Sequence, residues 1–471
     1  MFNLKISFLF TVLTMTVLAS TAGAQEPDRA PASPDAPLQF NFSSPGARSL
    51  GLGGAFIGLA DDATASYTNP AGLLSLSKPE ISFEGRHLSY STRYANAGRG
   101  FGEPSGNPTD IFDTVKYANA ETDVTSLSFL SYVYPRDRWA LAFYRHTLAD
   151  FLTSYDSQGS FFSVPAPTLA PLFPEGFVDF RVLPVSVDLD MEVINYGISF
   201  AYRVSEKFSI GLGASHYELS LYRKKEIYGT PDFYDHIDFA DSNVALSTTQ
   251  DRGDDSDVGI NIGFLWKPSS RWSLGGVYRQ GAEFESLTRM TSSSEGDSTS
   301  ELDPLNTPDV WGVGLAFRPT DLVTLTLDYN RVEYSAIWSN ASIGPFEGLD
   351  ANLFRIEDVS ELHLGFEYVV KNLKSPLAIR LGLWREPDHN LTFIGSTDPI
   401  DPPSADIFES IEELVDTAGR RGASIVFPSG DDEMHYSFGL GMVFADRFQL
   451  DIAFDFSEVV DTASLSGVIR F

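Results

Sequence analysis

The sequence predicts a closed antiparallel transmembrane β-barrel of about fourteen strands, with an N-terminal segment as its plug. Three observations carry this expectation. After residue 79 the chain falls into segments of about ten residues in which apolar and polar side chains alternate. The connections between those segments alternate short and long. A secretory leader precedes them all.

The leader occupies residues 1–24. Lys5 supplies the positive end, residues 6–18 the apolar core, and Ala22-Gly23-Ala24 the small-x-small cleavage site, so that Gln25 begins the mature chain. No later run reaches the roughly 18 apolar residues of a spanning helix, which excludes a helical membrane protein. Residues 25–39, rich in Pro, Ala and Asp, read as a flexible mature N-terminus.

Composition bounds the rest. A chain of 471 residues suggests two or three soluble domains by length alone, but one large barrel fits the pattern better. Its 43% hydrophobic content looks soluble, and so would a barrel with a polar lumen and wet loops. The absence of cysteine excludes thiol chemistry, disulfides and cysteine-ligated zinc. A net charge of -31 excludes a nucleic-acid partner, which needs a basic face.

The period-two segments, in order, are residues 80–90, 124–134, 139–147, 193–204, 208–219, 258–266, 272–284, 310–317, 323–334, 362–370, 377–385, 436–444, 448–456 and 463–471. Phe448, Leu450, Ile452, Phe454 and Phe456 share one face, opposite Gln449, Asp451, Ala453 and Asp455. Val258, Ile260, Ile262, Phe264 and Trp266 repeat the pattern against Asp257, Gly259, Asn261 and Gly263. Lipid outside and water or plug inside would select such faces. A soluble sandwich also alternates, with shorter strands and fewer of them. Short connections at 135–138, 205–207, 268–271, 319–321, 371–376 and 445–447 alternate with long ones at 91–123, 148–192, 220–257, 285–309, 335–361 and 386–435. This is the outer-membrane layout, with the short turns periplasmic. Tyr132, Tyr134, Trp139, Trp266 and Trp272 cluster at strand ends, as an interfacial girdle would; ordinary β-propensity also explains them.

The segment 46–74, GARSLGLGGAFIGLADDATASYTNPAGLL, follows no single period and is dense in glycine and alanine. Its Gly51-x-Gly53-Gly54-Ala55-Phe56, Ala60-Asp61-Asp62-Ala63 and Asn69-Pro70-Ala71-Gly72-Leu73 resemble the N-terminal hatch of the FadL/OmpP1/TodX outer-membrane transport family. The terminal Gly467-Val468-Ile469-Arg470-Phe471 resembles the aromatic-ended last strand that such barrels present to their assembly machinery. The resemblance runs from about residue 40 to the end, specific in the hatch and loose elsewhere. It implies a 14-stranded barrel at 79–471, a hatch at 40–78, and uptake of long-chain fatty acids or other hydrophobic compounds. Its implied partners are a hydrophobic ligand (fatty acid or hydrocarbon), outer-membrane lipid and, through Phe471, the barrel assembly machinery. Barrels with the same N-terminal motif also serve as secretion accessories.

Enzyme signatures are missing: there is no His-Glu-x-x-His, Gly-x-Ser-x-Gly or phosphate-binding loop, and Gly51 and Gly53 do not extend into a dinucleotide fingerprint. No cofactor is expected. The plug's glycines suit close packing inside a lumen. Small inward faces at Gly211, Gly213 and Ser215, at Gly312, Gly314 and Ala316, and at Ser437, Gly439 and Gly441 would receive it. Asp61 and Asp62 are placed to pair with lumen arginines, and Asn69-Pro70 to end the plug. The plainer reading is a glycine-rich turn with a solvated acid pair.

Loop 148–192 carries Phe161, Phe162, Leu169, Leu172, Phe173 and Phe177 among several prolines, apolar surface that suits a ligand-collecting groove or a cap over the barrel. A fatty-acid carboxylate would want a lumen cation, and strand parity turns Arg86, Arg279 and Arg380 inward. For each, pairing with lumen acids such as Asp328, Glu367, Asp451 and Asp455 is the plainer reading. Asp251, Asp254, Asp255 and Asp257 offer oxygens to calcium without the spacing of a known loop, so a solvated acidic turn is expected. Residues 406–418 read as an amphipathic helix with Ile407, Ile411, Leu414 and Val415 on one face, packed over the barrel mouth. The sequence thus points to a passive channel for hydrophobic compounds. Its rivals are a barrel serving protein partners and a general porin.

Overall fold

The computed structural model describes residues 42–106, 110–165, 176–229, 245–292, 298–337, 349–397, 407–445 and 447–471. The leader, the flexible N-terminus, Leu169, Leu172 and Phe173 lie outside the described residues.

Fourteen antiparallel strands close into one barrel. They are β1 (Glu80–Phe101), β2 (Val115–Pro135), β3 (Trp139–Ser157), β4 (Val185–Ser205), β5 (Phe208–Tyr228) and β6 (Ala245–Trp266), then β7 (Trp272–Arg279 with Glu283–Ser292) and β8 (Ser298–Asn306 with Val310–Thr320). β9 (Val323–Val332), β10 (Val359–Val370), β11 (Leu377–Glu386), β12 (Glu433–Phe444), β13 (Phe448–Phe456) and β14 (Val460–Arg470) complete the ring. Closure is the pairing of β1 with β14, from Glu80 opposite Arg470 to Tyr90 opposite Val460.

Alternation sets which face is which. Phe448, Leu450, Ile452, Phe454 and Phe456 are exposed on the outer wall, as are Val258, Ile260, Ile262 and Trp266, while Asp451, Asp455 and Asn261 are buried inside. In water such an outer wall would be unstable; against lipid it is the favoured face. Strands β1 to β6 run well past the periodic segments. Residues 91–100 of β1 (STRYANAGRG) lose the apolar outer face, because the outer side of that length stands in water rather than lipid.

Two irregularities shape the wall. Pairing of β2 with β3 ends at Phe129 opposite His146. Beyond that rung β2 pairs only with β1, and β3 only with β4. The distal half of β3 leans over the inner face of β1, where Tyr155 stacks on Tyr94 at 4.3 Å and Phe151 meets Tyr90 edge-on at 5.2 Å. The Leu127 carbonyl, deprived of its strand partner, accepts from Arg145 and from Thr147 Oγ1. The second irregularity is the break in β7 and β8. There the Glu283 and Glu285 amides donate to the carboxylates of Asp257 and Asp255 instead of to a β6 carbonyl. Asp251 pairs with Arg223, and Asp254 accepts from Ser220. The acidic run is therefore strand, not the turn expected of it, and all four of its carboxylates fasten neighbouring strands.

At the extracellular end a cap covers the ring. The hairpin Ser160–Pro165 with Phe177–Val182 packs beside β1 and under α3 (Ile407–Val426), the third α-helix among the described residues after α1 (Ala47–Leu50) and α2 (Ala65–Thr68). The expected helix is real but longer than 406–418. It runs on through Gly419 and Gly422 because Ala418, Ala423, Ile425 and Val426 beyond or at its expected end are buried against the cap. Of the residues assigned to its packed face, Leu414 is half-buried but Val415 is exposed, a correction that follows from the longer register.

Candidate functional site

Residues 42–76 lie within the ring of strands, and almost every one is buried. They comprise α1, α2 and a 3₁₀ turn at Pro70–Ser75, joined by tight turns. Gly53 and Gly54 take φ of +63° and +77°, a backbone region costly to any residue with a Cβ. Strand glycines make the fit possible. A Cβ on Gly365 would sit 2.7 Å from the Leu52 carbonyl oxygen, and one on Gly58 would sit 2.6 Å from the backbone of Gly314. On Gly211 it would run into Pro70 and Ala71, and on Gly382 into Gly53. The inward small residues of the sequence pattern thus form the floor on which this segment rests. Gly441 is different, leaving room for the Arg380 side chain.

Polar contacts then fix the segment to nearly every strand. Gly46 N–H donates to Glu84 of β1 at 2.9 Å, and Ala47 N–H to Ser466 of β14 at 3.1 Å. Ile57 N–H donates to Asp328 of β9 at 2.6 Å. Ser199, Asn261 and Ser209 donate to the carbonyls of Ser66, Tyr67 and Ala71. Asn69, fully buried, donates to the carbonyls of Ile57 and Phe264 at 3.1 and 3.0 Å and accepts from Ala71 N–H at 3.2 Å. It caps the 3₁₀ turn whose first residue is Pro70. Asp61 pairs with Arg48 at 2.6 Å and with Arg318 of β8 at 2.8 Å, while Asp62 is 3.5 Å from Arg48 and accepts from Thr64. The acid pair is therefore bound by arginines, one of them from within the segment itself.

Above this segment the lumen holds an apolar cluster. Phe42, Tyr90, Phe151, Met191, Phe284 and Tyr334 are among the buried residues of one cluster drawn from both halves of the ring. The three inward arginines have different environments. Arg380 bonds Glu367 and Asp451, both at 2.7 Å. Arg86 bonds Glu84 at 2.9 Å. Arg279 is buried yet has no carboxylate partner among the described residues. Its nitrogens reach the carbonyls of Thr68 at 3.4 Å and Phe42 at 3.3 Å, its Nε has no partner, and its guanidinium lies 4.9 Å from the Tyr67 ring centroid. A buried cation held only by carbonyls and a ring face is poorly compensated. Beside it His146, at the last rung before the gap between β2 and β3, stacks against Tyr67 at 4.3 Å with neither ring nitrogen hydrogen-bonded.

The loop phenylalanines are not an open groove. Phe161 and Phe162 are buried, Phe162 stacking on Phe180 at 5.7 Å and packing on Ala418 and Ile425 of α3. Phe177 remains exposed. The cap is held by Arg99, wholly buried, which pairs with Asp110 at 2.5 Å and Asp179 at 3.1 Å. Burial raises the Asp110 carboxyl, but the Arg99 and Ser105 hydrogen bonds outweigh it and leave the group below the usual carboxylate range. The sequence reading missed Arg48, Arg99, Arg318, His146 and a histidine group at the strand inner faces, His363 and His435. Inward parity, already used for Arg380 and Glu367, would have found His363 on the same face of β10 as Glu367.

The sequence profile of the outer membrane protein transport family (OMPP1/FadL/TodX) matches residues 184–372. The chain resembles the FadL/OmpP1/TodX family. No curated protein matches it by sequence. Among solved structures, a Pseudomonas aeruginosa FadL homologue aligns with a TM-score of 0.58 at 16% identity, over 94% of this chain and 100% of that one. The toluene transporter TodX of P. putida aligns with a TM-score of 0.54 at 15% identity, over 92% and 99%. The toluene transporter TbuX of Ralstonia pickettii gives 0.53 at 13%, also over 92% and 99%. At these identities the likeness is one of fold. The partial profile match is to a family of outer-membrane transport proteins, and the shared fold is that of the FadL and TodX barrels.

Proposed function

We propose that the chain takes up long-chain fatty acids, or hydrophobic acids of similar build, with residues 40–78 acting as a movable hatch. The observation that carries the reading is Arg279, a buried cation without a carboxylate among the described residues, set at the edge of an apolar cluster. An acyl tail would lodge among Phe151, Met191 and Phe284, and its carboxylate would replace the Phe42 carbonyl at Arg279. Loss of that contact would free the N-terminal end of the hatch. The gap between β2 and β3 beyond His146 supports a sideways route through the wall. No bond is made or broken in the cargo. The loop-capture step remains with Phe177 and the cap, since Phe161 and Phe162 are turned inward.

The second reading is uptake of uncharged hydrocarbons. The apolar cluster favours it, and the TodX and TbuX structures are of toluene transporters. One experiment separates the two. Cells carrying Arg279→Ala or Arg279→Gln are compared with wild type for uptake of labelled oleate and labelled toluene. The fatty-acid reading expects oleate uptake to fall about tenfold or more and toluene uptake to hold, given the usual worth of a charge-assisted contact. Equal oleate uptake in wild type and variants would refute it.

A further inference from the structure

Three to five strands round the ring from Arg279's, His363 and His435 line one cavity of about 80 Å3, and a third of the chain's seven histidines, His389, stacks on Tyr334 of its lining. His363 of β10, Trp384 of β11 and His435 of β12 form a three-ring stack. The His363 and Trp384 centroids are 4.9 Å apart at 14°, and those of Trp384 and His435 3.7 Å apart at 20°. His363 also touches the plug: its Nδ1 lies 2.7 Å from the Gly53 carbonyl oxygen, and its Nε2 lies 3.1 Å from Glu361.

Hydrogen-bond valence decides what this geometry requires. A carbonyl oxygen only accepts, and so does an ionised carboxylate, whereas a neutral imidazole has one N–H. His363 has an acceptor at each nitrogen. Satisfying both takes one proton more than neutral histidine and ionised glutamate hold between them. His435 repeats the situation, with Asp455 2.7 Å from Nδ1 and Glu386 3.2 Å from Nε2. Two extra protons therefore sit in the cluster, and Trp384 between the two rings presents a π-face that favours imidazolium on either side.

We infer that the His363–Gly53 contact is a proton-dependent latch on the plug. This rests on the reading of residues 40–78 as a movable hatch. With the extra proton in place, His363 donates to Gly53 and to Glu361 together. Without it, the ring has one N–H for two acceptors, and the Gly53 carbonyl competes with a buried carboxylate. The carboxylate is the stronger acceptor and takes the donor. The latch then opens at the Gly53–Gly54 turn.

The groups facing His363 favour holding a proton. Glu361 stands on its own strand and Asp328 on β9. Glu386 of β11 and Glu433 of β12 lie beyond Trp384, with Asp455 of β13 behind His435. The cations and neutral groups are fewer. Arg86 of β1 is already engaged by Glu84, His389 lies 3.8 Å from Glu386, and Tyr334 stacks on His389. Five carboxylates thus face the histidines with no free arginine among the described residues. The cavity has room for several waters, which gives the protons a way in and out.

The test uses purified full-length protein in lipid and reads hydrogen-exchange protection of residues 51–58, corrected for intrinsic rates, from about pH 5 to about pH 9. The wild type should lose protection about tenfold or more as pH rises. Glu361→Gln lets neutral His363 donate to Gly53 and accept from the amide, and His363→Gln donates without titrating. Both variants should be protected and flat across the range, and either suffices if the other fails to fold. A flat wild-type profile, or the same slope in a folded variant, would overturn the latch. Oleate uptake is followed in the same proteins. If protection follows pH and uptake does not, the latch stands and the movable-hatch reading falls.

Discussion

Asn69→Ala removes the one side chain that ties three parts of the plug and wall together. The wild-type amide is fully buried and serves the Ile57 carbonyl, the Phe264 carbonyl and the Ala71 N–H. Phe264 keeps its place in the strand ladder, but Ile57 O and Ala71 N–H lose their side-chain partner inside the lumen. At about 1–3 kcal/mol for each buried group left unsatisfied, the docked plug is destabilised by about 2–6 kcal/mol. Even the lower figure multiplies the undocked population roughly 30-fold. The barrel's ladder is untouched, so the band shift of the folded protein on unheated gels should persist. Single-channel conductance in planar bilayers should show open events that the wild type lacks, and exchange protection of residues 56–72 should drop. Asn69→Asp keeps the acceptor for Ala71 but turns a carboxylate toward two carbonyls, and should be no better than alanine. Folded Asn69→Ala protein with wild-type conductance and undiminished protection would refute the claim that this residue holds the plug.

Two further outcomes are expected. Gly382→Ala places a methyl group against the Gly53 backbone, so the plug should be displaced there and conductance should rise with the outer wall unchanged; planar-bilayer recording checks this. The cap should loosen only in acid. Because the Asp110 carboxyl is lowered in the folded state, its pairing with Arg99 contributes in full above the unfolded value of about 3.9 and is lost as pH falls through the lower folded value. Limited proteolysis of the hairpin should therefore stay constant from neutral to roughly pH 4 and quicken below it, whereas Arg99→Ala should be cut at neutral pH as well.

Much of the barrel could be read from the chain, because lipid on one side and plug on the other impose a period of two on every strand that crosses. Where the outer side is water the constraint lapses, and β1 beyond Tyr90 or β2 before Val124 could not be told from loop. The acidic run at 251–257 looked like a turn for the same reason. The helix expected at 406–418 came out short because local preference could not weigh the cap packed on α3. Inward arginines were recognisable by parity, but their partners were not. Arg380 meets Asp451 across the intervening strand β12, and Arg279's lack of such a partner among the described residues is a property of the assembled ring. His363 and Gly53 stand 310 positions apart in sequence, and nothing local links them.

The anchorage of Gly46 and Ala47 has a bearing on how the protein is made. Their amides are held by Glu84 of the first strand and Ser466 of the last, and Glu84 is itself bonded to Ser464 at 2.5 Å. Those two strands form the seam that closes the cylinder. The buried segment is therefore bonded to both sides of that seam, and without it Glu84 and a corridor of bare glycine backbone would face an unfilled interior. A chain lacking residues 42–76 should therefore close its seam less stably than the full chain does.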